Sequence, residues 1–132
     1  MINALIVEDS EAFRLTLKSI LKDHCPLMNL AEAASGEEAW ARLQAFVPDI
    51  IFMDIRLPGI NGLDLTRKIR AVHAGPKIIV LTSYDLPEYR EAALASGADQ
   101  FLCKDAITVE EIASLVETAR SSRDRGPQGP PA

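Results

Sequence analysis

Short apolar runs alternate along this chain with segments whose apolar residues recur every three or four positions. The runs have the length of strands and the segments between them have the period of helices. Ala4–Val7 predicts a first strand, and Phe13, Leu17, Ile20 and Leu21 share one face of a first helix. A second strand is expected near Met28–Ala33, the least apolar of the runs. Ser35 and Glu38 have the spacing of a capping box, opening a helix that buries Trp40, Leu43 and Val47. Ile50–Met53 is apolar throughout, as in a strand covered by helices on both faces. Leu57–Gly62 is dense in turn formers, and the helix after it points Leu65, Ile69 and Val72 inward. Pro76 precedes a fourth strand, Lys77–Leu81.

A fourth helix is expected from near Leu86, with Pro87 tolerated in its first turn and Gly97 ending it. It is alanine-rich with a thin apolar face, so it is expected to be the most mobile helix. Gln100–Cys103 makes a fifth strand. Thr108 and Glu111 form a second capping box, and Val109, Ile112 and Val116 face inward on the last helix. From about Ser121 proline and glycine dominate, which predicts a domain over 1–120 and a disordered tail or linker over 121–132.

Five βα units in this order imply an α/β fold, a doubly wound parallel sheet flanked by five helices. Right-handed crossovers leave few topologies. In the flavodoxin-like order 2-1-3-4-5, the crevice lies where strands one and three meet, at the carboxyl ends of the strands.

Composition narrows the function. With 132 residues, 48% apolar and 25% charged, the chain has the make-up of one soluble domain. A net charge of −5 argues against nucleic-acid binding by this domain, since such binding needs a basic face. Cys25 and Cys103 lack metal-binding spacing; reduced core thiols are favoured over a disulfide. No stretch approaches the roughly 20 apolar residues of a membrane span, and no secretory signal is evident. A cytoplasmic setting is expected.

Polar residues stand where the apolar runs end: Glu8 and Asp9 after the first, Asp54 after the third, Thr82 after the fourth and Lys104 after the fifth. Taken singly, each has an ordinary explanation: a solvated acidic pair, a turn cap, a helix cap, a surface lysine. Taken together they put three carboxylates, a hydroxyl and an ammonium at one sheet edge. Clustered carboxylates repel unless a cation intervenes. Magnesium, a hard ion held by one or two carboxylates with waters and phosphate oxygens, suits them. Asp9 and Asp54 are assigned as direct ligands and Glu8 as a ligand through water. Asp54 is also the candidate nucleophile, since carboxylates form aspartyl phosphates. Lys104 would bind phosphate oxygens and Thr82 would donate to them. There is no G-x-x-x-x-G-K-[ST] loop, G-x-G-x-x-G fingerprint or G-x-S-x-G elbow.

These residues resemble the receiver domain of bacterial two-component response regulators. The resemblance rests on Val7-Glu8-Asp9-Ser10, on Met53 to Gly62, on Leu81-Thr82-Ser83 and on Gly97 to Lys104, and it extends to about Ala119. It implies that Asp54 accepts phosphate from a histidine kinase or phosphotransfer protein. It implies too that the Arg56 carbonyl completes the magnesium shell, and that the Arg56 and Ser83 amides face the phosphate. Thr82 and Phe101 would be the switch pair, altering helix four and the edge beside strand five. The domain would then be a signalling switch that assists its own phosphorylation and dephosphorylation. Phe101 lacks the hydroxyl of the tyrosine often found there. Lys104-Asp105 resembles receivers that precede a LuxR-type helix-turn-helix output in transcription regulators, but no such output is present in this sequence. The chain is then a stand-alone regulator or a receiver separated from its output, and homodimerisation on phosphorylation is a further expectation. The alternative is a pseudo-receiver, an interaction module that never takes phosphate.

Overall fold

A computed structural model describes residues 1–124. Five parallel strands form one sheet: β1 (Ile2–Val7), β2 (Met28–Ala33), β3 (Ile50–Asp54), β4 (Lys77–Thr82) and β5 (Gln100–Cys103). Their order is β2-β1-β3-β4-β5, as the pattern predicts. The connecting helices are α1 (Glu11–His24), α2 (Gly36–Leu43), α3 (Gly62–Val72), α4 (Pro87–Ala95) and α5 (Val109–Asp124).

Side chains alternate across a strand, and here that alternation builds two cores. Leu5, Val7, Ile51, Met53, Ile78 and Val80 pack beneath Ala39 and Leu43 of α2, Leu65 and Ile69 of α3, and Ala93 of α4. Ile2, Ala4, Ile6, Ile50, Phe52, Ile79 and Leu81 pack beneath Leu17 and Leu21 of α1 and Ile112, Val116 and Ala119 of α5. Every residue of β3 is buried, which is why Ile50–Met53 is apolar throughout and why the acid at its end, Asp54, is enclosed.

The Thr108–Glu111 capping box forms, and the Ser35–Glu38 one forms with a shift of one residue. The Ser35 hydroxyl accepts the Glu38 amide at 3.1 Å, and the Glu38 carboxylate reaches back to the Ala34 amide at 3.2 Å. Thr108 and Glu111 exchange fully reciprocal bonds: the Thr108 hydroxyl accepts the Glu111 amide at 3.1 Å and the Glu111 carboxylate accepts the Thr108 amide at 3.2 Å. Leu86 precedes α4 without a side-chain cap, and Gly97 follows it at φ +108°.

Several expectations need correction. Val47 does not lie on the buried face of α2: the helix ends at Leu43 and Val47 is exposed. Val72, in the last turn of α3, also points to solvent. Helix α5 runs past Ser121 to Asp124, so the start of the expected tail is helical; the rest of that segment lies outside the described residues. Cys25 is buried, Cys103 is half-buried and neither forms a disulfide. Among the described residues, no helix is long and apolar enough to cross a membrane.

Candidate functional site

The strand register brings the expected residues to one edge. Val7 lies beside Met53, Asp54 beside Leu81, and Thr82 beside Cys103. Glu8 and Asp9 therefore leave β1 next to the Asp54 end of β3. Lys104 follows β5, its amide donating to the Thr82 carbonyl at 2.9 Å. Carboxylate oxygens of Glu8, Asp9 and Asp54 lie within 4.8 Å of one another. Glu8 and Asp54 are buried at 2% and 7% exposure, whereas Asp9 is exposed.

Lys104 balances the two buried acids. Its ammonium contacts Glu8 and lies 3.3 Å from Asp54 Oδ2. The Phe13 ring centre is 4.5 Å from the same nitrogen, within cation–π range. Burial pushes the Glu8 carboxyl above its usual range; the Lys104 hydrogen bond opposes this and the neighbouring Asp54 adds to it. A hard divalent cation fits this donor set: three carboxylates converge on one place, with neither sulfur nor imidazole among them.

The turn after β3 is tightly constrained. The Ile55 carbonyl accepts the Leu57 amide at 3.1 Å and the Gly62 amide at 2.8 Å. A Cβ on Gly62 would sit 1.9 Å from the Asp54 carbonyl oxygen, so only glycine lets α3 start this close to the acid. Gly59 has φ +73°, a conformation glycine adopts without steric cost. Glu37 of α2 braces the turn from outside, accepting the Ile60 amide at 3.0 Å. That bond holds the Glu37 carboxyl below its usual range.

Thr82 is buried, and its hydroxyl accepts the Tyr84 amide at 3.1 Å; Ser83 is exposed. The Arg56 guanidinium stacks over the Tyr84 ring at 4.3 Å, joining the turns after β3 and β4 across the site. Phe101 is buried, and Arg90 of α4 lies 4.9 Å over its ring. Trp40 packs at the edge of its core under Lys68.

Two contributors carried little signal in sequence. Phe13 reads as a core residue of α1 yet also faces Lys104. Arg14 reads as an ordinary surface cation yet donates to the Glu8 carbonyl oxygen at 2.7 Å. The one available clue is its place near the N-terminal end of a helix, where the helix dipole disfavours positive charge.

Comparison with known proteins agrees with this geometry. Residues 4–117 match the family model described as response regulator receiver domain. The chain is 37% identical over 117 residues to the response regulator UvrY of Escherichia coli (strain K12), covering 87% of this chain and 53% of that protein. It is 30% identical over 128 residues to the response regulator GacA of Pseudomonas viridiflava, covering 97% of this chain and 60% of that one. The chain thus spans little more than half the length of these curated relatives. Among solved structures, a CheY-like receiver domain protein from Methanospirillum hungatei JF-1 superposes with a TM-score of 0.85 at 25% identity, covering 96% of this chain and 99% of that one. The receiver domain of the putative response regulator NarL from Mycobacterium tuberculosis gives 0.81 at 26% identity, covering 90% and 96%. The sheet order, the acidic edge and a family match across nearly all the described residues lead to one conclusion: this chain belongs to the response regulator receiver domain family.

Proposed function

We propose that Asp54 accepts a phosphoryl group from a histidine kinase or phosphotransfer protein, and that the change is read out through Thr82, Phe101 and the α4–β5 surface. The observation that carries this reading is the convergence of Glu8, Asp9 and Asp54 with Lys104 at the switch-point edge of the sheet. Asp9, Asp54 and the Arg56 carbonyl would hold Mg2+, with Glu8 acting through water. When bound, the ion supplies charge neutralisation at the attacking and transferred oxygens.

The chain's own residues do the rest by position and charge, as phosphoryl transfer requires. An Asp54 carboxylate oxygen attacks phosphorus and forms the acyl phosphate O–P bond. The P–N bond of the donor phosphohistidine breaks, and its electron pair returns to the imidazole, which takes up a proton. Lys104, already 3.3 Å from Asp54 Oδ2, binds the phosphoryl oxygens. The Thr82 hydroxyl, released from the Tyr84 amide, donates to them, as do the Arg56 and Ser83 amides. Movement of Thr82 alters the packing around Phe101, and Arg90 on its ring carries that change to α4.

In this reading the domain is a switch that assists its own phosphorylation and dephosphorylation. It controls a homodimer contact or a helix-turn-helix output carried elsewhere, and does not bind nucleic acid itself. Beryllofluoride, a phosphoryl mimic, tests it. With Mg2+, amide shifts are expected at Thr82, Ser83 and Lys104 and along α4 and β5, and none in Asp54→Asn. Equal shifts in that variant would remove Asp54 from its role.

A further inference from the structure

The turn that carries Glu8 and Asp9 is held by a residue with no part in the chemistry above. Arg14 Nη1 donates to the Glu8 carbonyl oxygen at 2.7 Å, and its Nε pairs with Glu32 at 3.3 Å. Glu32 sits on β2 beside Ile6 of β1 and also takes Lys18 at 2.9 Å. The Lys18 bond keeps the Glu32 carboxyl below its usual range and therefore ionised. One guanidinium thus ties the peptide between Glu8 and Asp9 to a charged carboxylate fixed on the neighbouring strand. The amide side of the same turn is pinned separately: Glu8 N donates to Ala33 O at 3.0 Å and Ser10 N to Glu8 Oε2 at 3.2 Å. Asp9 is exposed, so its placement depends on the backbone that carries it.

Resting on the metal-assisted phosphorylation proposed above, we infer that Arg14 is a positioning residue. It fixes the Glu8–Asp9 peptide so that the Asp9 carboxylate is preset for the divalent cation, and it acts on that cation through the peptide alone. Two effects of opposite sign compete here. A positive charge near the acids weakens their pull on a cation, so removing it would tighten metal binding. Removing the brace would loosen binding. The charge is already shared with Glu32, whose own second partner is Lys18, so its field at the site is reduced. A charge-assisted hydrogen bond at 2.7 Å is among the strong ones, so positioning wins. Lysine cannot substitute, because one ammonium lacks the planar fork that serves both oxygens.

The test uses the full chain with Arg14→Gln and Arg14→Lys. Mg2+ titrations are followed by amide shifts near Asp54, and exchange of the hydrogen-bonded amides of Glu8 and Ser10 is measured without metal. Both variants are expected to bind Mg2+ about tenfold more weakly, the low end for losing a support of a metal ligand. Exchange at Glu8 and Ser10 should quicken. Phosphorylation by acetyl phosphate should return to the parent rate at saturating Mg2+. Unchanged or tighter binding in Arg14→Gln overturns the inference, as does full rescue by Arg14→Lys, since a single ammonium cannot join the Glu8 carbonyl to Glu32 as the fork does. Should Arg14→Gln fail to fold, Glu32→Gln leaves the guanidinium present but unbraced, and quicker amide exchange at Glu8 and Ser10 without metal, which charge alone would not produce, is expected; unchanged exchange overturns the inference. A parent chain that binds no Mg2+ would instead strike down the proposed phosphorylation and this role with it.

Discussion

Lys104 is the side chain on which the electrostatics of the site turn. Glu8 and Asp54 are buried together, and its ammonium is the cation in contact with both among the described residues. Removing one partner from a buried charge cluster leaves the others uncompensated. Lys104→Met is therefore expected to lower stability without metal by about 3 kcal/mol at neutral pH, read from urea denaturation. A divalent ion binding the folded state adds stability by mass action, and it finds the acids more exposed to its charge once the lysine is gone. Mg2+ should thus stabilise Lys104→Met more than the parent; an equal gain in both would show that the lysine and the ion do not share these carboxylates. The acids and the lysine were legible in sequence because each interrupts an apolar run at its end. Arg14 and Glu37 were not, since a charged residue on a helix looks alike whether it faces solvent or braces a turn. What separates them is a backbone carbonyl at 2.7 Å and an amide at 3.0 Å, the latter 23 residues along the chain from Glu37.

For whole elements, pattern and structure agree on type and order, and they part at helix ends. Val72 follows Leu65 and Ile69 at helical spacing, but it stands in the last turn of α3 and is 62% exposed. Val47 continues the period of α2 beyond the point where the helix stops. Periodicity records which side of a helix faces inward, and says nothing about where the sheet beneath it ends. Small residues were hidden for the opposite reason: Ala39, Ala93 and Ala119 are buried close against the sheet, yet alanine is unremarkable on any helix face. Thr66 and Ser96 are buried too, with their hydroxyls bonded to the carbonyls of Gly62 and Ala92 at 2.7 Å. The contrast has a direct check. Ile69→Ala should cost about 2–5 kcal/mol, whereas Val72→Lys should stay within roughly 0.5 kcal/mol of the parent. Chemical denaturation of the two variants measures both, and a large loss from Val72→Lys would contradict the exposed position.

At the scale of the whole molecule, the topology explains why chemistry from four distant segments meets at one place. The chain runs from β1 outward to β2 and then crosses back past β1 to β3, which opens a crevice at the carboxyl edge between β1 and β3. Glu8 and Asp54 enter it from adjacent strands, and Lys104 arrives from the far edge of the sheet. Helix α4 carries Arg90 over the Phe101 ring while burying little more than Ala93, so the change proposed at Thr82 and Phe101 would meet little resistance from packing there. The measurement that bears most directly on the proposed phosphorylation is the intact mass of the chain after incubation with acetyl phosphate, with and without Mg2+, beside Asp54→Asn. A gain of one phosphoryl group that requires Mg2+ and is absent from Asp54→Asn is the expected result. A gain of equal size in Asp54→Asn, or one indifferent to Mg2+, would contradict it.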